Sequence, residues 1–158
     1  MSVALVREHL AAFGLAERIM EFEASSATVE LAALAVGTDP ARIAKSLTFY
    51  QKDGLPLMIV TAGDQRIDNA KYKGFFACKA KMMTAEDALR FTGHAVGGVC
   101  PFANPEGVAV YLDQSLQRFD TVYPAAGSAS SAVRLSCEEL FLASRAVAWI
   151  DVCKAREA

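Results

Sequence analysis

At 158 residues, with 53% hydrophobic and 22% charged positions, the chain suits a single folded domain over 1–158 and is too apolar to stay disordered. A chain of this length buries roughly 68–70% of its unfolded surface, enough for a substantial core. The net charge of −2 excludes a uniformly basic nucleic-acid binder, and no apolar run reaches transmembrane length, so a soluble cytoplasmic protein without membrane partners is expected.

Residues 2–15 carry Val6, Leu10 and Phe13 at helical spacing, with Gly14 near the stop. A short strand is expected over 18–23. Thr28 can cap a helix through Val36, with Glu30 in its first turn and Gly37 just past its end. Asp39-Pro40 opens a second short helix that must end near Ala44, because a β-rich run to Tyr50 follows. Asp53-Gly54 turns that run into the apolar strand "LPLMIVTA", giving an antiparallel pair at the centre of the fold. A helix over 68–76 and a short strand over 78–83 come next. Thr84 caps a helix through Phe91, and Gly93 ends it. After the loop "GHAVGGVCPFA", strands are expected at 108–112 and near 121–123, and a third follows the small-residue loop "AAGSASSAVRLS". Ser136 caps a helix over 138–143, and 147–152 forms a last strand. Strands outnumber the helices able to cross between them. The fold is therefore mixed α/β with substantial antiparallel pairing, not a doubly wound nucleotide fold.

The strand after Arg42 poses a question. Ala44, Ser46, Thr48 and Tyr50 share one side of it, and Lys45, Leu47 and Phe49 the other, since side chains alternate along a strand. One ammonium group thus begins an otherwise apolar face. Either it reaches water at the sheet end, or it lines a cleft that takes an anion or a carbonyl-rich substrate.

Charge is unevenly distributed. From Arg42 to Lys81, eight basic residues face three acidic ones, a local net charge of +5, while the remainder carries −7. Cys78, Cys100, Cys137 and Cys153 form no CxxC pair, and only His9 and His94 could join them, so no zinc cluster is expected. Nucleotide-binding glycine motifs, GxSxG and HExxH are absent. A His94–Cys100 pair is conceivable from proximity in sequence. Gly97-Gly98-Val99-Cys100-Pro101 can bring backbone groups close to a ligand, and Asp113, ending an apolar strand, can orient a substrate or cap the next turn.

Together, "RIAKSLTF", "GDQRID", "ALRFTGHAVGGVCPFA", "VYLDQSL" and "DTVYPAAGS" resemble the YbaK-type aminoacyl-tRNA editing family, which includes the editing insertion of bacterial prolyl-tRNA synthetases. The resemblance spans roughly 21–152. It implies a barrel-like mixed, largely antiparallel sheet with flanking helices. It also implies a trans-editing deacylase that needs neither metal nor cofactor and hydrolyses the ester joining a wrong amino acid to the 3′ end of tRNA. In that reading Lys45, Gly97 and Asp113 are catalytic, and Gly98, Val99, Cys100, Pro101 and Phe49 bind substrate. Arg42, Lys71, Lys73, Lys79 and Lys81 hold the acceptor end of a misacylated tRNA, with a synthetase as a further partner. The chain departs from many relatives at Cys100, at Ala103 and at Ala126-Gly127-Ser128, so the resemblance implies no particular amino acid. Two other classes remain open: a non-catalytic module that binds aminoacyl-tRNA or a protein, and a cysteine hydrolase built on Cys100.

Overall fold

A five-stranded mixed sheet organises the molecule, its strands lying side by side in the order 123–124, 43–50, 56–62, 109–113, 148–150. The computed structural model describes residues 2–25 and 28–156. The sheet strands are β2 (Ile43–Tyr50), β3 (Pro56–Ala62), β5 (Ala109–Asp113), β6 (Tyr123–Pro124) and β8 (Ala148–Ile150). Two two-stranded antiparallel ribbons flank them. One joins β1 (Ile19–Glu21) to β7 (Ser131–Val133), and the other joins β4 (Gln65–Ile67) to β9 (Cys153–Ala155). The longest register is the expected central hairpin, in which β2 and β3 pair from Ala44 opposite Ala62 to Tyr50 opposite Pro56. The contacts of β6 with β2, of β5 with β3 and of β8 with β5 are parallel. The strand expected over 18–23 is β1 and the one expected after the small-residue loop is β7, whereas the β4–β9 ribbon escaped the sequence reading because each of its strands has three residues and no sustained alternation.

Every residue of β3 is buried, which accounts for its continuous apolar run: it is covered on both faces. On one face Met58, Val60 and Leu112 meet Val6 and Leu10 of α1 (Ser2–Ala11), Leu140 of α5 (Cys137–Ser144), and Phe102. On the other, Phe49, Leu57 and Ile59 meet Tyr72 of α3 (Asn69–Phe76). At roughly 25 cal/mol per Å² of apolar area removed from water, these two layers supply the main drive to fold.

Helix ends follow the local chemistry. Thr28 accepts from Leu31 N at the start of α2 (Val29–Val36), and Gly37 closes it in the left-handed region. Thr84 and Gly93 do the same for α4 (Ala85–Thr92). Ser136 and Glu139 form a reciprocal capping box on α5. The segment opened by Asp39-Pro40 is a single 3-10 turn over Pro40–Arg42. The strand expected over 78–83 is reduced to one bridge, Phe49 opposite Met82. No helix among the described residues is long and apolar enough to cross a membrane.

Candidate active site

Strand β2 is fully paired on its β3 side and only partly on the other. There β6 meets it at Ile43 and Ala44. Further along, Met83 N donates to Thr48 O at 2.9 Å and Tyr50 N donates to Lys81 O at 3.0 Å. Between those contacts the edge opens into a cavity of about 330 Å³. Lys45, Ser46 and Leu47 form one wall, Gly97 and Val99 another, and Val29 and Ala32 of α2 a third. Tyr123, Ala125, Ser131 and Ala132 also contribute.

Lys45 stands opposite Thr61 at the start of the face that continues through Leu47 and Phe49. Its Nζ donates to the Gln65 carbonyl oxygen at 2.5 Å. The ammonium is half-buried, and burial first, then nearby Arg156, lower its pKa from the ordinary lysine value; Cys153, Asp64 and Glu30 act the other way. One backbone carbonyl leaves two of its three N–H donors for a ligand.

The glycine loop is shaped by close approach. Gly98 N donates to Ala95 O at 2.9 Å, closing a turn in which Gly97 takes φ 84°. A Cβ at position 98 would lie 2.7 Å from Gly127 C and O and from Ser128 N, so only glycine lets the two loops touch. Among the described residues, the Gly97 and Val99 amides have no backbone partner.

The structure brings Lys45, Gly97 and Val99 into one cavity. Gly98, Cys100 and Pro101 lie behind the lining, all buried. Phe49 is 1% exposed and stacks in the core against Tyr72 at 5.3 Å between ring centroids. Asp113 is not brought to this cavity. It is 1% exposed, and its carboxylate accepts from Ser115 N and Val152 N, each at 2.9 Å. It caps the turn after β5 and ties it to the chain beyond β8.

The Cys100–His94 pair does form, with Sγ 3.5 Å from Nε2, but its chemistry is wrong for a nucleophile. Nε2 lies 2.8 Å from the Phe102 carbonyl oxygen, which only accepts, so Nε2 carries the proton. Nδ1 then accepts the Ser2 hydroxyl. A protonated Nε2 cannot deprotonate the thiol. Burial also pushes Cys100 up to about 12 and lowers His94 below the usual histidine value.

The basic residues divide. Arg42 pairs with Asp120 at 3.0 Å and lies over the Phe119 ring. Lys71 pairs with Asp151 at 3.0 Å and also donates to Cys153 O. Lys73 and Lys79 share an exposed groove of about 450 Å³. Lys81 sits over the Tyr50 ring, beside the strand edge that leads into the cavity. No ion pair holds Lys73, Lys79 or Lys81 among the described residues.

Sequence reasoning missed Ser46, the α2 wall and the Ser131 region. The one local signal was a serine within the β-rich run; the rest depends on contacts distant in sequence. Among the described residues, no group of three or more His, Cys, Asp or Glu is placed to hold a metal.

Fold and cavity thus define a class: a mixed-sheet domain whose strand-edge pocket combines a lysine with a glycine-rich loop. The chain belongs to the aminoacyl-tRNA editing domain family, whose pattern matches residues 23–142. It is 47% identical to the uncharacterized protein YwhH of Bacillus subtilis (strain 168) over 154 residues, 98% of each chain. It is similar, with TM-score 0.87 and 28% identity over 98% of both chains, to a crystal structure described as a candidate trans-editing enzyme for prolyl tRNA synthetase. The crystal structure of hypothetical protein APE2540 matches with TM-score 0.84 and 29% identity, covering 94% of this chain and 99% of that one.

Proposed function

We propose that this protein is a trans-editing aminoacyl-tRNA deacylase, hydrolysing the ester between a wrongly attached amino acid and the terminal ribose. The observation that carries the reading is the shared cavity of Lys45 and the Gly97–Val99 turn. An aminoacyl ester is already activated, so the protein must chiefly position it and a water molecule. Lys45 holds the phosphate or ribose of the terminal adenosine. The Gly97 and Val99 amides meet the carbonyl oxygen as negative charge develops, a contribution of about 2.7–4 kcal/mol per well-aimed donor. The vicinal 2′-hydroxyl assists the water, since among the described residues the lining contains no carboxylate or imidazole. Lys73, Lys79 and Lys81 attract the acceptor stem through its phosphates, without reading sequence.

The test is deacylation of a panel of misacylated tRNAs by the wild type and by Lys45→Ala. Prolyl-tRNA synthetase and misacylated prolyl tRNAs enter the panel first, because a 28% identical relative is described in those terms. Turnover of at least one substrate, lost in Lys45→Ala with the fold retained, supports the reading. Tight binding of aminoacyl-tRNA without turnover of any member refutes hydrolysis and leaves a binding module.

A further inference from the structure

Resting on the deacylase reading of this cavity, we infer that the aminoacyl group docks as a missing rung of the sheet against Ser46. The substrate class is then aminoacyl-tRNA with an unblocked α-ammonium.

The main-chain groups of Thr48 and Tyr50 point away from β3, as their bonds to Met83 and Lys81 demonstrate. Peptide groups alternate along a strand, so those of Ser46 point the same way. The β6 register ends at Ala44, and the 81–83 contacts begin at Thr48. Ser46 N–H and C=O therefore face the cavity unpaired among the described residues. The Ser46 hydroxyl oxygen is also buried without a partner. Two unpaired main-chain groups on one residue of a cavity wall mark a ligand position, because an open strand edge is a template for a further strand.

Geometry sets the orientation of the occupant. In an antiparallel narrow pair one residue exchanges both hydrogen bonds with the residue opposite; in a parallel pair it bonds two different residues. A single aminoacyl unit can satisfy both Ser46 groups only in the antiparallel sense. Its ammonium then donates to Ser46 C=O. Its ester carbonyl accepts from Ser46 N–H, leaving a second lone pair for the Gly97 and Val99 amides across the cavity.

The direction is also fixed. Segment 81–83 already runs antiparallel to β2, with Phe49 opposite Met82. The docked unit continues that line, its nitrogen toward Met83 and Thr84 and its ester toward the Lys45 end. Thr84 turns away there to cap α4. An acyl group on the substrate nitrogen removes the charge from its hydrogen bond to Ser46 C=O, so N-acylated aminoacyl-tRNAs bind more weakly.

The probes are 3′-alanylamino-3′-deoxyadenosine, whose amide replaces the labile ester, its N-acetyl derivative, and adenosine. The free-amine probe is expected to slow amide hydrogen exchange at Ser46, and adenosine to leave it unchanged. The N-acetyl probe is expected to bind about tenfold more weakly or worse, in line with a lost charged hydrogen bond. Equal binding of the N-acetyl probe overturns the inference, as does unchanged Ser46 exchange with the free-amine probe bound. The amide probes report docking even if no ester is ever hydrolysed. Conversely, equal turnover of N-acetylated and free aminoacyl-tRNA would overturn the rung and leave the deacylase reading standing.

Discussion

Replacing Gly98 by alanine tests whether the turn beside Lys45 owes its position to the loop beneath it. The added Cβ would sit 2.7 Å from Gly127 C and O and from Ser128 N, all backbone atoms that cannot rotate aside. Carbon contacts relax at about 3.5–4.0 Å, so the two loops must part by about 1 Å. Overpacking of this kind costs about 1–3 kcal/mol. For a chain of this size that corresponds to a fall in Tm of about 2–12 °C. The same displacement moves the Gly97 and Val99 amides off the developing oxyanion, and a 1 Å misplacement can lower turnover by about 100-fold. The control is Gly74→Ala in α3, where an added Cβ meets nothing within 4 Å and helix propensity favours alanine. Thermal unfolding and deacylation kcat/KM on the best substrate are measured for both variants. Wild-type kcat/KM in Gly98→Ala, with Tm unchanged, would refute the idea that this contact sets the turn.

Affinity for a non-hydrolysable aminoacyl-adenosine carrying a 5′-phosphate should fall as pH rises toward the ordinary lysine range, with a midpoint below 10.5, because burial lowers Lys45. In the window between the two values Lys45 binds more protons in the unfolded chain and so adds stability as pH rises, whereas burial raises the Cys100 thiol and the Tyr72 phenol and these remove stability over the same range, so circular dichroism at each pH checks that the fold is retained. An unchanged pH profile in Lys45→Met would show that another group is titrating. Lys73→Ala with Lys79→Ala should flatten the slope of log affinity against log salt by about 0.7–0.9 per lost phosphate contact, whereas Lys71→Ala, already paired with Asp151, should change it little. The reverse pattern would place the acceptor stem on the Lys71 side. Cys100→Ser, and separately EDTA, should each leave most deacylation intact, while a trapped acyl-enzyme on Cys100 would restore the cysteine mechanism. A 3′-aminoacyl-tRNA ending in 2′-deoxyadenosine should bind nearly normally and deacylate far more slowly; normal turnover would require a protein base.

The parts of the fold legible in sequence were those written in local chemistry. Thr28, Thr84 and Ser136 cap the expected helices because a side-chain oxygen one residue before a helix satisfies an orphan amide whatever lies elsewhere. The central hairpin followed from Asp53-Gly54 between two β-rich runs. The parallel contacts of β5, β6 and β8 were not legible, since nothing local records which strand lies beside which. The stretch 78–83 has strand composition but pairs at one bridge only, because Thr84 takes the chain into α4.

The site divides along the same line. Lys45 stood out because an alternating pattern makes a single charge on an apolar face visible, and the glycine turn because its residue types are unusual. Asp113 and Phe49 lie close in sequence to cavity residues, but the fold places them elsewhere: one carboxylate accepts from the Ser115 and Val152 amides, and one ring packs under α3. Ser46 was read by side chain alone and assigned to the face opposite Lys45. The role inferred for Ser46 lies in its peptide groups, which point along the sheet rather than to either face. Whether such groups find a neighbour depends on where two other strands stop, at Ala44 and at Thr48. That gap also answers why a lysine begins the apolar face. The face closes over Phe49, but beside Ser46 the sheet edge opens, and Lys45 and Leu47 line that opening with it.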